Sequence, residues 1–283
     1  MRRLSVANPF NAPVYYEDTV GSTMDVSRTL ASSGEPHGTV ITAGNQEAGR
    51  GRMRGRSWEM EKKTNLPFSV LLRYPRIEDI PPALTLRTGL AVAFAIEEYV
   101  EDRGLGVRLR RIGDWGKEER DRGLGARDWA VLIKWPNDIL LWDGVAAKKV
   151  AGILAEADGG NVHVGIGINV SQSEFPAHLS GKAASISQAV GVQGDPLLLL
   201  ELVLARLYGE IETQQPGGSD WLSRIEERLY KKGEQVSFIP GAAGSENTVS
   251  GTLAGIGSSG ELLIHVGGET APRSFLTGEL VLK

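Results

Sequence analysis

The sequence predicts an α+β protein, in which a mixed, largely antiparallel sheet is covered by helices and followed by a small C-terminal SH3-like β-barrel. Four strand-like segments follow one another with only short turns between residues 130 and 170, which favours an antiparallel meander over alternating βαβ units. Amphipathic helical stretches lie apart from these strands in the sequence. After Gly233, about five short strands with glycine-rich turns fill the rest of the chain, a pattern typical of a small closed barrel.

The predicted strands are short runs rich in Val, Ile and Leu that are bounded by turn residues. They are 39–43 (TVITA), 66–73 (LPFSVLLR), 130–135 (AVLIKW), 138–142 (DILLW), 148–157 (KKVAGILAEA) and 162–170 (VHVGIGINV). Because the last four are joined by short turns, we expect strands that are neighbours in sequence to be neighbours in the sheet.

Four helices are predicted from capping signals and hydrophobic periodicity. The first begins at Ser22, three residues before Asp25 as in a capping box, and carries Val26 and Leu30 on one face. The four helical stretches are 22–34, 84–100, 195–212 and 220–233, the last ended by glycine. We expect these helices to cover the sheet.

The chain length and the change in sequence pattern after residue 232 predict two domains. The chain has 283 residues, enough for one large domain and a small appendage. We therefore expect a ligand-binding domain over 1–232 and the barrel over 233–283. Lys and Arg total 31 against 35 Asp and Glu, a net charge of −4, which argues against a nucleic-acid footprint over the whole surface.

Cysteine and histidine content exclude several classes of site. The chain has no cysteine, so disulfides, thiolate nucleophiles and cysteine metal sites are excluded. Its four histidines are far apart in sequence, so a zinc enzyme is not expected. The N-terminus has no apolar signal region, and no stretch is expected to reach the roughly 18–20 apolar residues of a membrane span. We predict a soluble, cytoplasmic protein.

A highly charged segment, residues 101–128, fits neither domain. It contains the near-repeat DRGLGVR and DRGLGAR, which is too short and isolated for a repeat architecture. We expect a surface insertion without a catalytic role.

The stretch GRGRMRGRSW, residues 49–58, predicts an anion-binding loop. Arg50, Arg52, Arg54 and Arg56 stand at every second position with glycines between the outer pairs, and guanidinium groups suit carboxylate or phosphate. The spacing matches neither a Walker A loop nor a dinucleotide-binding turn. From these residues alone, a solvated charged loop is an equally good interpretation.

Three further motifs cluster polar groups at strand ends. IKWPND (133–138) brings a lysine, an amide and a carboxylate to one strand edge. AKKVAGIL (147–154) supplies Lys148 and Lys149, of which strand alternation can direct only one inward. GIGIN (165–169) leaves one strand face without side chains, so something flat can lie against it. Taken singly, each motif also fits an ordinary solvent-facing strand end, a bulge or close sheet packing.

Taken together and in order, these motifs resemble the biotin protein ligases. The set GSTMD, NQEAGRGRMRGRSW, LPFSVLLR, IKWPNDILL, KKVAGILAE and VGIGINV, followed by a small barrel, covers the chain from about residue 14 to its end. The resemblance implies an α+β fold related to class II aminoacyl-tRNA synthetases. It also implies a two-step reaction: biotin and Mg·ATP give biotinyl-5′-AMP, which then acylates one lysine of a biotin carboxyl carrier domain.

The resemblance implies roles for individual residues. It assigns biotin binding to Ser22, Thr23, Gln46, Gly49, Arg50, Arg52, Lys149, Gly152 and Gly165. It assigns ATP and adenylate binding to Arg52, Trp58, Lys134, Asn137, Asp138, Lys149, Gly167 and Asn169. Catalysis falls to Lys149, Arg50 and Arg52 through electrostatic stabilisation, without a covalent enzyme intermediate. ATP is expected to bring Mg²⁺, for which Asp138 is the one candidate protein ligand.

Several features depart from the family pattern. The arginine loop is one residue longer than usual, which puts the roles of Arg54 and Arg56 in doubt, and Asp25 stands where the family often has an amide. About thirteen residues precede the first expected strand, so a DNA-binding domain, DNA partner or membrane partner is not expected. A monomer and a homodimer fit equally well. The alternatives are a lipoate or octanoate ligase or transferase of the same fold and a non-catalytic anion- or RNA-binding module.

Overall fold

The fold is described from a computed structural model. The described residues are 1–52, 55, 57–101, 108–109, 128–191, 194–213, 220–241 and 248–281. The predicted insertion at 101–128 lies outside them, apart from its two ends and a two-residue strand at 108–109. The predicted contributions of Arg54 and Arg56 also lie outside the described residues.

Nine strands form the larger sheet, in the order β1-β2-β3-β4-β9-β8-β7-β6-β5. The pairs β2/β3 and β5/β6 are parallel and the other pairs are antiparallel, so the prediction of a mixed, largely antiparallel sheet is confirmed. The strands are β1 (Arg2–Arg3), β2 (Val14–Glu17), β3 (Thr39–Ala43), β4 (Leu66–Arg73), β5 (Arg108–Leu109), β6 (Asp128–Lys134), β7 (Asp138–Trp142), β8 (Ala147–Asp158) and β9 (Asn161–Ile168).

Helices cover both faces of this sheet. Alternate residues of β9, such as Val164 and Ile166, belong to the main core together with helix α2, whereas Gly165 on the other face contacts Met24 of α1. Helix α4 packs on α2 from outside. The helices are α1 (Thr23–Ser32), α2 (Leu84–Glu101), α3 (Ile186–Val190), α4 (Pro196–Tyr208) and α5 (Asp220–Glu226), with a 3₁₀ turn at Ile77–Asp79 and a π-helical turn at Gly209–Thr213.

Helix α2 corrects the expectation that no stretch is long and apolar enough to span a membrane. By length and composition, the stretch Ile77–Glu101 is long and apolar enough to cross a membrane, with a mean hydropathy of 1.2 in its most apolar window. In the structure 61% of that window is buried inside the protein, against β6, β7, β8 and α4. Its apolar surface is therefore used as the core of the fold.

The predicted helix 220–233 is also wrong in its extent, because α5 ends at Glu226. The Ile133 N–H donates to the Arg228 carbonyl at 2.8 Å, and the Tyr230 N–H donates to the Ile133 carbonyl at 2.9 Å. The chain after the helix therefore runs beside β6, and this pairing satisfies backbone groups that a longer helix would have to satisfy internally.

A second, five-stranded antiparallel sheet follows in the order β13-β12-β11-β10-β14. It packs on the larger sheet through Trp135, whose indole N–H donates to the Gly260 carbonyl at 2.9 Å and whose ring lies 5.8 Å from that of Phe238. The core runs continuously between the two sheets, so the boundary at 232/233 stays a prediction. The strands are β10 (Gln235–Pro240), β11 (Val249–Ile256), β12 (Leu262–Val266), β13 (Arg273–Phe275) and β14 (Gly278–Leu280).

Candidate functional site

A groove lies between the N-terminus of α1, the arginine loop and the strands β7, β8 and β9. At its centre is a cavity of about 50 Å³. Eleven of the fifteen residues that the family resemblance singled out line this cavity: Ser22, Thr23, Gln46, Arg50, Arg52, Trp58, Asn137, Lys149, Gly152, Gly165 and Gly167. The other four, Gly49, Lys134, Asp138 and Asn169, lie beside it or behind it.

The floor of the groove is a row of residues in register across the sheet. Lys134 of β6 pairs with Asp138 of β7, Asp138 pairs with Gly152 of β8, and Gly152 pairs with Gly167 of β9. All four lie on the face that α1 covers. The row therefore carries a cation and an anion at one end and two residues without side chains at the other.

The glycines allow the Trp58 indole to lie directly on the sheet. A β-carbon on Gly167 would lie 2.7 Å from Trp58 Cε2, and one on Gly152 would lie 3.2 Å from Trp58 Cζ3. Pockets that hold drug-sized ligands usually have volumes of roughly 300–1,000 Å³. A cavity of about 50 Å³ is far smaller, so a ligand can lie on the glycine floor only after Trp58 moves.

A β-bulge decides which lysine enters the groove. Lys149 pairs with Leu140, but the next pair is Ala151 with Ile139, so one residue, Val150, is extra on β8. An extra residue inverts the alternation of side chains along the strand. Lys149 therefore lies on the same face as Gly152, although their spacing would otherwise place them on opposite faces.

Lys149 is held by the carboxylate of Asp138, with 2.6 Å between Nζ and Oδ1. Its Nζ also lies 5.6 Å from the centre of a Trp58 ring. The neighbouring segment at 182–184 extends the sheet here, because the Lys149 N–H donates to the Lys182 carbonyl at 2.8 Å. Lys149 is thus a cation on a fixed backbone at the charged end of the groove.

Two amides that the resemblance assigned to ATP brace the backbone around the site. The Asn137 side chain donates to the Ile153 carbonyl at 3.0 Å, and that of Asn169 donates to the Ala184 carbonyl at 3.2 Å. Lys134 is only 5% exposed and does not line the cavity. A direct contact of Lys134 with a ligand in the cavity is therefore not supported by its position.

Hydroxyl and amide groups form the opposite, polar end of the groove. The Ser22 hydroxyl caps α1 by accepting the Met24 N–H at 3.3 Å. A short parallel bridge between Val20 and Gln46 brings Gln46 beside this helix start, where its Oε1 accepts the Thr23 N–H at 2.8 Å. Ser22, Thr23 and Gln46, three of the residues predicted to bind biotin, therefore lie together.

The arginine loop folds back on itself and reaches the second sheet. The Trp58 N–H donates to the Gly49 carbonyl at 2.9 Å, which closes the loop at its base. Arg52 Nη2 donates to the Gly278 carbonyl in β14 at 2.6 Å. Arg50 Nη2 pairs with Asp25 Oδ1 at 2.6 Å. Asp25, which stands where the family often has an amide, therefore has an ion-pair partner in the loop.

Two residues near the site were missed by the sequence analysis. Ser69 of β4 is fully buried, and its hydroxyl lies 2.9 Å from that of Thr23. The signal was present, since Ser69 is a single polar residue inside the apolar run LPFSVLLR. His163 is also fully buried, with its Nδ1 2.8 Å from the Ser27 hydroxyl, and burial lowers the pKa of its imidazole below the ordinary value.

The shape and polarity of the groove indicate the kind of ligand that it can bind. A groove with hydroxyl and amide groups at one end and cations at the other suits a small molecule with a polar head and a negatively charged tail. The described residues contain no group of three Asp, Glu or His side chains that could hold a metal ion. The shape and polarity of the groove thus suit a small organic anion.

Comparison with known proteins gives the family. The biotin/lipoate A/B protein ligase family matches residues 17–173, more than half of the chain, and the chain belongs to that family. Two curated relatives and one solved structure resemble it over most of its length, as follows.

The bifunctional ligase/repressor BirA of Bacillus subtilis is 34% identical over 200 residues, which cover 67% of this chain and 50% of that protein. A biotin–acetyl-CoA-carboxylase ligase of Mycobacterium tuberculosis is 28% identical over 256 residues, 88% of this chain and 82% of that protein. The biotin protein ligase of Aquifex aeolicus in complex with biotin and ATP has a TM-score of 0.70 and 25% identity, covering 95% of this chain and 98% of that one. This chain thus spans about half the length of the Bacillus relative.

Proposed function

We propose that this protein is an ATP-dependent ligase that forms biotinyl-5′-AMP from biotin and ATP and then transfers biotin to a lysine of a carrier domain. The observation that carries the proposal is the position of Ser22, Thr23 and Gln46 at one end of the glycine floor and Lys149 at the other. The complex of the Aquifex relative with biotin and ATP supports both substrates.

The polar end suits the ureido ring of biotin. A urea group has a carbonyl oxygen that accepts hydrogen bonds and two N–H groups that donate them. Ser22 and Gln46 supply donors and Thr23 supplies an acceptor at this end. The dithiolane ring of lipoate has neither group, so it would leave the Ser22 and Gln46 donors without an acceptor on the ligand, which is costly. The lipoate and octanoate alternative is therefore not favoured.

The charged end suits the reacting carboxylate and phosphate. In the first step a biotin carboxylate oxygen attacks the α-phosphorus of ATP, the bond to the β-phosphate oxygen breaks, and pyrophosphate leaves. Lys149, beside Gly152 and Gly167, would lie where negative charge builds up in this step. Arg50 and Arg52 reach the same cavity and would neutralise further phosphate charge.

Mg²⁺ would be carried to the site by the phosphates of ATP. Such ions are usually bound through one or two carboxylates together with the substrate phosphates. Asp138 is the carboxylate at the charged end of the groove, and it already contacts the cation of Lys149 at 2.6 Å. It would hold the metal, which screens phosphate charge when bound, while Lys149 turns toward the α-phosphate.

In the second step the ε-amino group of the acceptor lysine attacks the carbonyl carbon of biotinyl-AMP, and AMP leaves. The activity named for the Mycobacterium relative supports the carrier domain of a biotin-dependent carboxylase as the acceptor. The five-stranded C-terminal sheet would close as an SH3-like barrel that packs against the ligase domain through Trp135. A cytoplasmic location remains part of this proposal.

Isotope exchange tests the first step. The purified chain, incubated with ATP, Mg²⁺ and labelled pyrophosphate, should incorporate label into ATP when biotin is present. Lipoate or octanoate in place of biotin should give no more exchange than the sample without an acid. Exchange with lipoate or octanoate and none with biotin would overturn the proposal.

A further inference from the structure

Ser69 is a buried polar residue that the proposed reaction leaves without a role. Its side chain is 0% exposed and lies in β4 between Phe68 and Val70, which are equally buried. Ser69 pairs in register with Gly165 of β9, so it is next to the floor of the groove. A hydroxyl in such apolar surroundings costs free energy unless it is hydrogen-bonded, and its partner is the Thr23 hydroxyl at 2.9 Å.

The direction of each hydrogen bond in this set follows from chemistry. The Thr23 N–H can only donate, so the Gln46 atom 2.8 Å from it must be the amide oxygen. That oxygen can only accept, so the Thr23 hydroxyl, 3.1 Å away, must donate to it. The Thr23 hydroxyl has then used its hydrogen, and the Ser69 hydroxyl must donate to Thr23.

We infer that Ser69 is a positioning residue that sets Thr23 as a hydrogen-bond acceptor toward the ligand, an inference that rests on the proposed function. The Thr23 oxygen has two lone pairs, and Ser69 occupies one of them. The other remains for a ligand N–H, because Thr23 lines the cavity. The hydroxyl thus favours the ureido N–H of biotin and disfavours a ligand oxygen at the same place.

Ser69 also restrains the position of Thr23. Thr23 is the first residue of α1 and is held by Gln46 from the loop side and by Ser69 from the sheet side. Three contacts to one short side chain and its own backbone N–H leave it one orientation. Loss of the Ser69 contact should therefore weaken biotin binding through Thr23 without changing how ATP is bound at the far end of the groove.

Ser27 offers a matched control. It is also on α1, is 0% exposed, and its hydroxyl contacts a buried partner from the sheet, Nδ1 of His163, at 2.8 Å. Ser27→Ala therefore removes a buried hydroxyl between the same helix and the same sheet, one turn away from Thr23. A general loosening of α1 would affect both variants equally.

The test is a double-mutant cycle on biotin affinity, measured by isothermal titration calorimetry on the full chain. Ser69→Ala should raise the Kd for biotin roughly tenfold, the size expected for one neutral hydrogen bond, and Ser27→Ala should change it less than twofold. The KM for ATP in pyrophosphate exchange should stay within twofold. In a Thr23→Val background, Ser69→Ala should add less than a twofold effect.

Two results would overturn the inference: a Kd for Ser69→Ala within twofold of the wild type, or the same tenfold loss after Thr23→Val. If Ser69→Ala does not fold, Ser69→Cys keeps nearly the same volume with a much weaker donor and should show the same direction of change. An unchanged Kd in Ser69→Cys would equally overturn it. A wild-type chain that binds no biotin would instead contradict the proposed function.

Discussion

Replacing Gly167 with alanine places one methyl group on the floor of the groove. Its β-carbon would lie 2.7, 2.9 and 3.1 Å from three ring atoms of Trp58. Comfortable carbon–carbon contacts are about 3.5–4.0 Å, so the indole must withdraw by roughly 1 Å. Gly167 lies in the regular strand β9, whose backbone alanine adopts without strain.

The expected cost to folding is small and the expected cost to binding is larger. Overpacking costs roughly 1–3 kcal/mol, and the lower end applies because Trp58 is half-buried on a loop and can move. About 1 kcal/mol lowers the Tm by roughly 2–4 °C in a protein of this size. A bound ligand lies on the same floor and cannot move away, so about 2 kcal/mol, or roughly a 30-fold higher Kd for biotin, is expected.

Calorimetric titration with biotin and a thermal melt measure both quantities on the same sample. Gly209→Ala is the control, because Gly209 has helical backbone angles and a β-carbon there would have no atom within 4 Å apart from its own local backbone. That variant should keep its Kd within twofold. If Gly167→Ala bound biotin as tightly as the wild type, the glycine row would not be the floor of the ligand site.

Three further changes test the surroundings of the groove. Asp25→Asn should lower the free energy of unfolding by less than about 1 kcal/mol in denaturant titrations, because its ion pairs with Arg28 and Arg50 are partly exposed; a larger loss would mean that these pairs are a structural support. Arg52→Ala removes the hydrogen bond to the Gly278 carbonyl and should release biotinyl-AMP several-fold faster in a trapping assay, and slower release would contradict this. Burial lowers the pKa of His163, so the unfolded chain binds more protons below pH of about 6.5; the Tm should fall as the pH drops from there, and His163→Gln should reduce that slope rather than leave it unchanged.

The meander from β6 to β9 was predictable because its strands are joined by short turns and their apolar residues follow the period of a sheet. The choice between Lys148 and Lys149 was not predictable in the same way. The bulge at Val150 inverts the alternation, and its cause is the pairing of β7 with β8 rather than any local signal in the sequence. The family resemblance pointed to Lys149, and the bulge is the physical reason that it enters the groove.

The end of α5 and the short helix α3 show two different limits of predicting structure from this sequence. Helical periodicity continues to Gly233, but pairing of residues 228–230 with β6 ends α5 at Glu226, and such a long-range contact leaves no local mark. Helix α3 did have a local mark, since Ser185 and Gln188 form a capping box and Gly191 ends the helix with a positive φ. Its five residues were too few to show periodicity.

Single-turnover formation of biotinyl-AMP tests the proposed ligase activity and the role of Lys149 together. Enzyme in excess over biotin is mixed with Mg·ATP, quenched at successive times and assayed for the adenylate. We predict that the wild type converts all bound biotin, and that Lys149→Ala is at least about 100-fold slower while its Kd for biotin changes far less, because the lysine acts on charge formed in the transition state. A wild type that forms no adenylate would contradict the proposed function, and a Lys149→Ala variant that forms it at the wild-type rate would contradict the role of Lys149.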